Sequence, residues 1–418
     1  MISAFSTALS GLNADSTAID VVGNDLANLN TTGYKSSELE FSALMSEQLG
    51  VSGTAGQVGM GVGQVASVSA YTQGAIQTTN GPLDAAIQGN GFFVVKSSNS
   101  QTLYTRDGSF SVNSSGQVVD ASGDIVQGWS AAAGGTVNTN GAVGNISVPV
   151  GATVAATPTT TMSLALNLNA TPSGTTTPAT FSAPIQVVDS LGTQHTLTAT
   201  FTNTGTGTWG YTLTIPAADL TTGGTTQVAS GTLTFDPTGK LSTPALASDP
   251  QPVSITGLAD GASNLTIGWN FYNPSGAPNI TQLAEPSAVS TTTQNGFTAG
   301  QISSVSLQNG GLLVATYSNG QQVTAGQVAL ASIVNPESLT AVGNNNLAAS
   351  ASTAAPVVGT AGTGSRGSIV AGALETSTVD IAQEFTNLLT FERGYQANSR
   401  VITTDDQILQ ETVNLIHP

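Results

Sequence analysis

Few residues of this chain have the type and spacing that chemistry needs. His195 and His417 are the only histidines, and neither an HExxH pattern nor a paired-His spacing is present to hold a metal. His195 sits in an apolar–polar alternation from Gln194 to Phe201, which predicts a strand and a surface or cross-strand role for the imidazole. Asp405 and Asp406 are adjacent in a segment of helical periodicity, so their carboxylates project about 100° apart and cannot face one another as an acid–base pair. Both are expected in solvent. Asp120 and Asp124 lack the remaining ligands of a calcium loop. The run Gly362-Thr363-Gly364-Ser365-Arg366-Gly367 matches a dinucleotide-loop pattern, but no helix start follows it in Ser368 to Leu374, so a flexible link is expected there. No G-x-S-x-G elbow supports a serine nucleophile. With no cysteine, thiolate chemistry and disulfides are excluded. The expectation is a non-enzyme with no catalytic, cofactor or metal residues.

The elements that carry these residues are of two kinds. Near the start Phe5, Leu12, Ile19 and Leu26 recur every seven positions, joined by Ile2, Leu9 and Val22, with no proline between. Near the end Ile381, Leu388, Tyr395, Ile402, Leu409 and Ile416 share one seven-residue phase, flanked by Phe385 and Val413. Both patterns predict amphipathic helices, the second starting near the hydroxyls of Thr376-Ser377-Thr378. Between them, short apolar alternations such as Phe181 to Val188, Thr208 to Ile215 and Gly231 to Phe235 are broken by Asn-Gly and Asp-Gly pairs, the pattern of antiparallel strands and tight turns. The fold class expected is therefore α+β, mainly β, with antiparallel β domains inserted between paired terminal helices. Its divisions would be a helical domain of 1–30 with 376–418, a linker region of 31–76 with 363–375, a first β domain of 77–147 with 291–362, and an inserted β domain of 148–290. The Gly-rich stretch from Gly50 to Gly63 is expected to be extended.

A helix with an apolar stripe must bury it, and an isolated helix is barely stable in water. The two stripes are thus expected to meet each other, or copies of themselves in neighbouring chains, which would make ordering of the ends and polymerisation one event. Phe5, Leu12, Ile19, Leu26, Ile381, Leu388, Tyr395, Ile402, Leu409 and Ile416 are the self-assembly candidates. Over 418 residues only 7% are charged, and 24 acids against seven bases leave a net charge of −17. A phosphate-backbone partner needs clustered basic groups, so nucleic acid is excluded. No run of 18 apolar residues spans a membrane, and the start carries no basic, apolar signal pattern; export without a cleaved signal is expected.

One stretch is far more specific. Asn24-Asp25-Leu26-Ala27-Asn28-Leu29-Asn30-Thr31-Thr32-Gly33-Tyr34-Lys35 resembles the signature of the bacterial flagellar rod and hook protein family. Its chemistry ends a helix, because Asn and Thr side chains compete for backbone hydrogen bonds and Gly33 accepts a left-handed conformation. Leu83 to Ile87, Gly89 to Phe93, Tyr104 to Phe110, Val126 to Trp129, Tyr317 to Gly320, Asn335-Pro336, Gly372 to Glu375 and Tyr395 to Asn398 continue the likeness in order. Ser377-Thr378-Val379-Asp380 and Phe391-Glu392-Arg393-Gly394 depart from the usual family pattern. The resemblance implies Ala27, Asn28, Asn30, Thr31, Thr32, Gly33, Tyr34 and Lys35 as motif residues. It also implies a homopolymer in the extracellular flagellum, exported by the type III apparatus, that makes a curved flexible tube carrying motor torque from rod to filament. The expected partners are the distal rod protein, the hook–filament junction protein and the hook cap protein. The large insertion favours the hook over the distal rod role within that family. A secreted β-rich carbohydrate-binding protein would account for Trp129, Trp209 and Trp269, but not for the terminal heptads or the Asn-Thr-Thr-Gly-Tyr-Lys turn.

Overall fold

The computed structural model describes residues 2–44, 47–49, 56–132, 134–151, 153–171 and 178–416; His417 lies outside them, as does part of the Gly50–Gly63 stretch. Helix α1 spans Ile2–Ala27 and α2 spans Ile381–Ile416. They pack antiparallel: Asp15 meets Asn398, and Tyr34 and Ser36 meet Thr378. The α2 cap differs from the expected hydroxyl. Asp380 Oδ1 accepts the amides of Ala382 (2.8 Å) and Gln383 (3.2 Å), while Thr378 Oγ1 takes the Ser36 amide across the chain. Among the described residues no helix is long and apolar enough to cross a membrane.

Two compact units divide the chain. The first comprises Met1–Val150, Val305–Ala315 and Val323–Pro418. At its centre runs Phe92–Lys96, a Phe-Phe-Val-Val run buried on both faces. It pairs antiparallel with Thr102–Thr105, Ile125–Ser130 and Leu330–Ser332. Phe92, Val94 and Tyr104 pack with Ile333 and Leu339 on one face, and Phe93 meets Phe110 edge-on at 5.0 Å on the other. The segments expected to be a linker form strands: Ser37–Glu40 pairs with Ala66–Ser69, while Ala373–Glu375 pairs with Ile76–Thr78 at the border of the expected first β domain and Ser368–Ala371 pairs with Ala85–Gln88 inside it. Even Gly56–Val58, in the Gly-rich stretch, pairs with Glu47–Leu49. Backbone pairing across the two arms satisfies amide groups that an extended linker would leave to water. The G-x-G-x-x-G match forms a turn leading into a strand, and Arg366 holds it through the carbonyls of Thr360 and Val357 and the Thr363 hydroxyl.

The second unit comprises Gly151–Ser304 and Thr316–Gln322. The expected limit at 290 falls inside the strand Ala288–Gln294, which pairs with Thr161–Asn169, so ladder bonding carries this unit further along the chain. One sheet is an antiparallel meander of Thr180–Val188, Gln194–Gly205, Thr208–Thr214, Gln227–Phe235 and Leu241–Thr243. The other is built on Thr161–Asn169, which also pairs in parallel with Leu265–Asn270 and Ile280–Leu283. Alternating apolar residues of both sheets make the core. Trp269 contacts Phe271, Tyr211 and Phe201 with rings at 4.7, 5.3 and 6.4 Å. Trp209 and Trp269 are fully buried and Trp129 nearly so, its indole N–H bonded to the Gly141 carbonyl, so none presents a ring to a sugar.

Candidate assembly interface

The seam between the helices is lined by small residues. Ala8, Ala14, Ala18 and Val22 are the buried apolar residues of α1. Two glycines let polar side chains enter. A Cβ on Gly11 would lie 2.7 Å from Asn398 Nδ2, and one on Gly394 would lie 2.8 Å from Asp15 Oδ2. In the space so left, Asn398 Nδ2 donates to Asp15 Oδ2 at 3.0 Å. Burial raises the pKa of Asp15, with the Asn398 bond opposing. Burial also raises that of Glu384, reinforced by the charges of Asp25 and Asp380 and opposed by the bond from Asn387. A seam of alanine, glycine, amide and carboxylate buries little apolar area, so the hairpin gains little hydrophobic stabilisation from it.

The large apolar side chains lie elsewhere. Phe5, Leu9, Ile381, Phe385, Leu389, Tyr395, Val401, Ile408, Leu409 and Val413 are all exposed, with Phe385, Leu389 and Val413 more than half accessible. Of the expected self-assembly residues, Phe5, Ile381, Tyr395 and Leu409 belong to this open set. Leu12, Ile19, Leu26, Leu388 and Ile402 are half-buried, and Ile416 ends α2 with its side chain outside the described set. The two heptad stripes are therefore not buried against each other within one chain. The expectation that Asp405 and Asp406 are both solvated also fails for Asp405, which is buried in the hairpin, whereas Asp406 is exposed.

The Asn-Thr-Thr-Gly-Tyr-Lys motif is a junction between α1, the arm leading to α2, and the first β unit. Ala27 closes α1; Asn28 Nδ2 donates back to the Asn24 carbonyl (2.9 Å), and Thr31 Oγ1 donates to Asn28 Oδ1 (3.0 Å). Asn30 is exposed in the turn, and the Thr32 carbonyl accepts from Asn345 Nδ2. Gly33 has φ +68°, and a Cβ there would lie 2.7 Å from the Arg106 carbonyl carbon, so both conformation and space require glycine. Tyr34 donates to Asp25 Oδ1 at 2.7 Å, while Asp25 Oδ2 accepts the Ser37 amide at 2.9 Å. Burial, the Asp25 bond and the charges of Asp25 and Glu384 together raise the Tyr34 pKa. Lys35 Nζ reaches Glu375 Oε1 at 2.6 Å, and Arg106 Nη1 reaches Glu375 Oε2 at 3.0 Å, with all three side chains buried. Burial lowers the Lys35 pKa, with the bond and charge of Glu375 opposing and the Arg106 charge adding to the fall. Glu375 Oε1 also accepts the Gly74 amide, and Arg106 lies 5.4 Å from the Phe92 ring centre. Asp15, Asn398, Arg106 and Glu375 were not singled out by sequence reasoning as structural partners; the mid-helix glycines Gly11 and Gly394 were the available hint for the first pair.

A second polar cluster lies in the inserted unit. His195 is buried, opposite Val187 in its ladder, rather than on the surface. Its Nε2 lies 3.1 Å from Asp189 Oδ2 and its Nδ1 3.1 Å from Asp219 Oδ2, so the imidazolium form satisfies both contacts. Burial disfavours that charge, but the two hydrogen bonds and two carboxylates outweigh it and raise the His195 pKa. Asp189, His195 and Asp260 bring ligand atoms within 4.8 Å of one another, but both ring nitrogens of His195 are already engaged as an ion pair.

These features first define a class: a β-rich structural chain carried on a terminal helical hairpin whose large apolar side chains lie open. The comparisons narrow it. Family models match in chain order: Flagella basal body rod protein at residues 5–35, Flagellar hook protein FlgE/F/G D1 domain at 86–162, Flagellar basal body protein FlaE D2 domain at 149–297, and Flagellar basal body rod FlgEFG protein C-terminal at 370–415. Flagellar hook protein FlgE of Escherichia coli (strain K12) is 34% identical, over 99% of this chain and 100% of that protein. Those of Treponema pallidum (strain Nichols) and Rhizobium meliloti (strain 1021) are 31% and 32% identical, over 99% and 98% of this chain and 100% and 98% of theirs. The solved structure of Helicobacter pylori flagellar hook protein FlgE2 aligns over 72% of this chain and 100% of that one, at 13% identity and a TM-score of 0.49. The chain belongs to the flagellar hook protein FlgE family, a family of structural flagellar proteins.

Proposed function

We propose that the chain is the subunit of the flagellar hook, polymerising through its terminal helices into a curved, flexible tube that carries motor torque from rod to filament. One observation carries this reading: the hairpin buries small and polar residues and leaves ten large apolar side chains open. Covering the exposed half of each is worth about 1 kcal/mol, on the order of 10 kcal/mol per chain. Association costs roughly 4–15 kcal/mol, so a neighbour covering only part of the stripe gains little, and contacts from several copies favour assembly. Polymerisation is then cooperative. A chain with only 7% charged residues suits a joint whose contacts slide on every turn, since it has few ion pairs to break. The distal rod, hook–filament junction and hook cap proteins are the proposed neighbours, and export through the type III apparatus without signal cleavage is part of the reading. Electron microscopy of the purified, assembled chain tests it: curved hollow tubes are expected, and straight rods or a persistent monomer would overturn it.

A further inference from the structure

Among the described residues, Asp405 has the one buried carboxylate oxygen that no hydrogen-bond donor meets. Its side chain is 7% exposed, and Oδ2 is shut from solvent with no hydrogen-bond donor. It lines an open cavity of about 300 Å³ with Ala4, Arg400, Val401, Thr404 and Ile408. The other acids in or beside the seam have donors: Asn398 for Asp15, Tyr34 and Ser37 for Asp25, Asn387 for Glu384. A carboxylate oxygen withdrawn from water and left without a donor is costly, so this cavity is incomplete in the single chain.

The chain's own inventory of cations restricts what can complete it. Lys35 and Arg106 are held by Glu375, and Arg366 is held by its own turn. Lys96 ends a strand of the first β unit and Lys240 follows a turn of the second. On the helices only Arg393 and Arg400 remain, both exposed and without an ion pair among the described residues. Arg400 already borders the cavity yet makes no bond to Oδ2. Arg393 precedes Asp405 by twelve residues on the same helix, about 18 Å along the axis, beyond the reach of its own chain's carboxylate.

Building on the hook-polymer reading, we infer that the cavity is an intersubunit site: the Arg393 guanidinium of a second copy enters between Val401 and Ile408 and, as the Asp405 side chain turns toward the cavity, donates to its carboxylate. Its methylene stem covers the apolar wall while the fork meets the carboxylate, the division of labour for which a long basic side chain is suited. The contact is heterologous, residue 393 of one copy against 405 of the next. It does not close on itself but propagates, as a tube requires.

The absence of cysteine makes a direct test clean. Chains carrying both Arg393→Cys and Asp405→Cys are assembled and treated with a short bis-maleimide, because an arginine stem reaching a carboxylate holds the two Cα atoms too far apart for a direct disulfide. The two thiols of one chain are about 18 Å apart along the helix, beyond the span of the reagent. A ladder of covalent dimers, trimers and longer species is expected from polymer and not from monomer. An equimolar mixture of the two single variants should give dimers, and either variant alone should give none. Polymer without a ladder, or equal cross-linking by single variants, overturns the inference. Failure of the unsubstituted chain to polymerise would instead overturn the hook reading. Should the cysteine variants not assemble, the critical concentration decides. Arg393→Gln and Asp405→Asn are each expected to raise it roughly tenfold or more, and the double variant no further than either. Additive effects would contradict the pair.

Discussion

In the inserted β unit the largest side chains are the most hidden; in the terminal hairpin the order is reversed. Trp209, Trp269, Phe201 and Phe271 are at most 1% exposed, ringed by alternating Leu, Ile and Val from two sheets. The hairpin fully buries Ala18 and seats Asp15 and Asn398 over glycines, while Phe385 and Leu389 stay more than half open. The first arrangement is a completed core, stable by its own packing. The second aligns two helices with little apolar gain of its own, and in the proposed polymer neighbours supply the rest. On that proposal, folding energy and assembly energy are placed in different parts of one chain.

The comparison breaks most visibly at Leu409. Leu409→Asp puts a carboxylate on the stripe, and burying it unpaired costs several kcal/mol, so polymer should be absent by sedimentation. The β-sheet circular dichroism and melting of the same chain should be unchanged. Trp269→Ala is the converse: loss of this ring should remove about 3–5 kcal/mol from the inserted unit, seen as a lower denaturant midpoint, with the helical signal retained. Glu375→Gln should cost the first unit about 3 kcal/mol by leaving Lys35 and Arg106 without their shared anion, and protease sensitivity should rise near residue 35.

The smallest effect is a pH dependence confined to the inserted unit. The His195 pKa is raised in the fold, so its contribution to stability is present in full below the unfolded value near 6.5 and is lost as pH rises through the raised one. The melting temperature of that unit should fall by about 2–4 °C across this interval, and His195→Gln should flatten the slope.

Periodicity in the sequence marked the terminal helices and most strands of the inserted meander, because alternation and heptads report which face is apolar. It did not report what covers that face. Ala8, Gly11, Ala14 and Ala18 carry weak hydrophobic signal, so the seam they build was invisible beside the stronger stripe of Phe5, Leu12, Ile19 and Leu26. Asp405 and Asp406 look alike in sequence, and only the path of α2 over α1 makes one buried. The Lys35–Glu375 pair joins residues 340 positions apart, a separation at which no local pattern speaks. The motif around Gly33 was readable as a helix stop, yet its role as the junction of both arms depends on the distant Arg106 backbone.

In the proposed polymer the open stripe of the hairpin becomes the buried layer. Hydroxyl-radical footprinting of monomer and polymer measures this residue by residue. Phe385, Leu389, Tyr395, Leu409 and Val413 should be oxidised readily in the monomer and protected in the polymer, while Trp209 and Trp269 remain protected in both. A polymer in which Phe385, Leu389 and Tyr395 oxidise as fast as in the monomer would contradict the account.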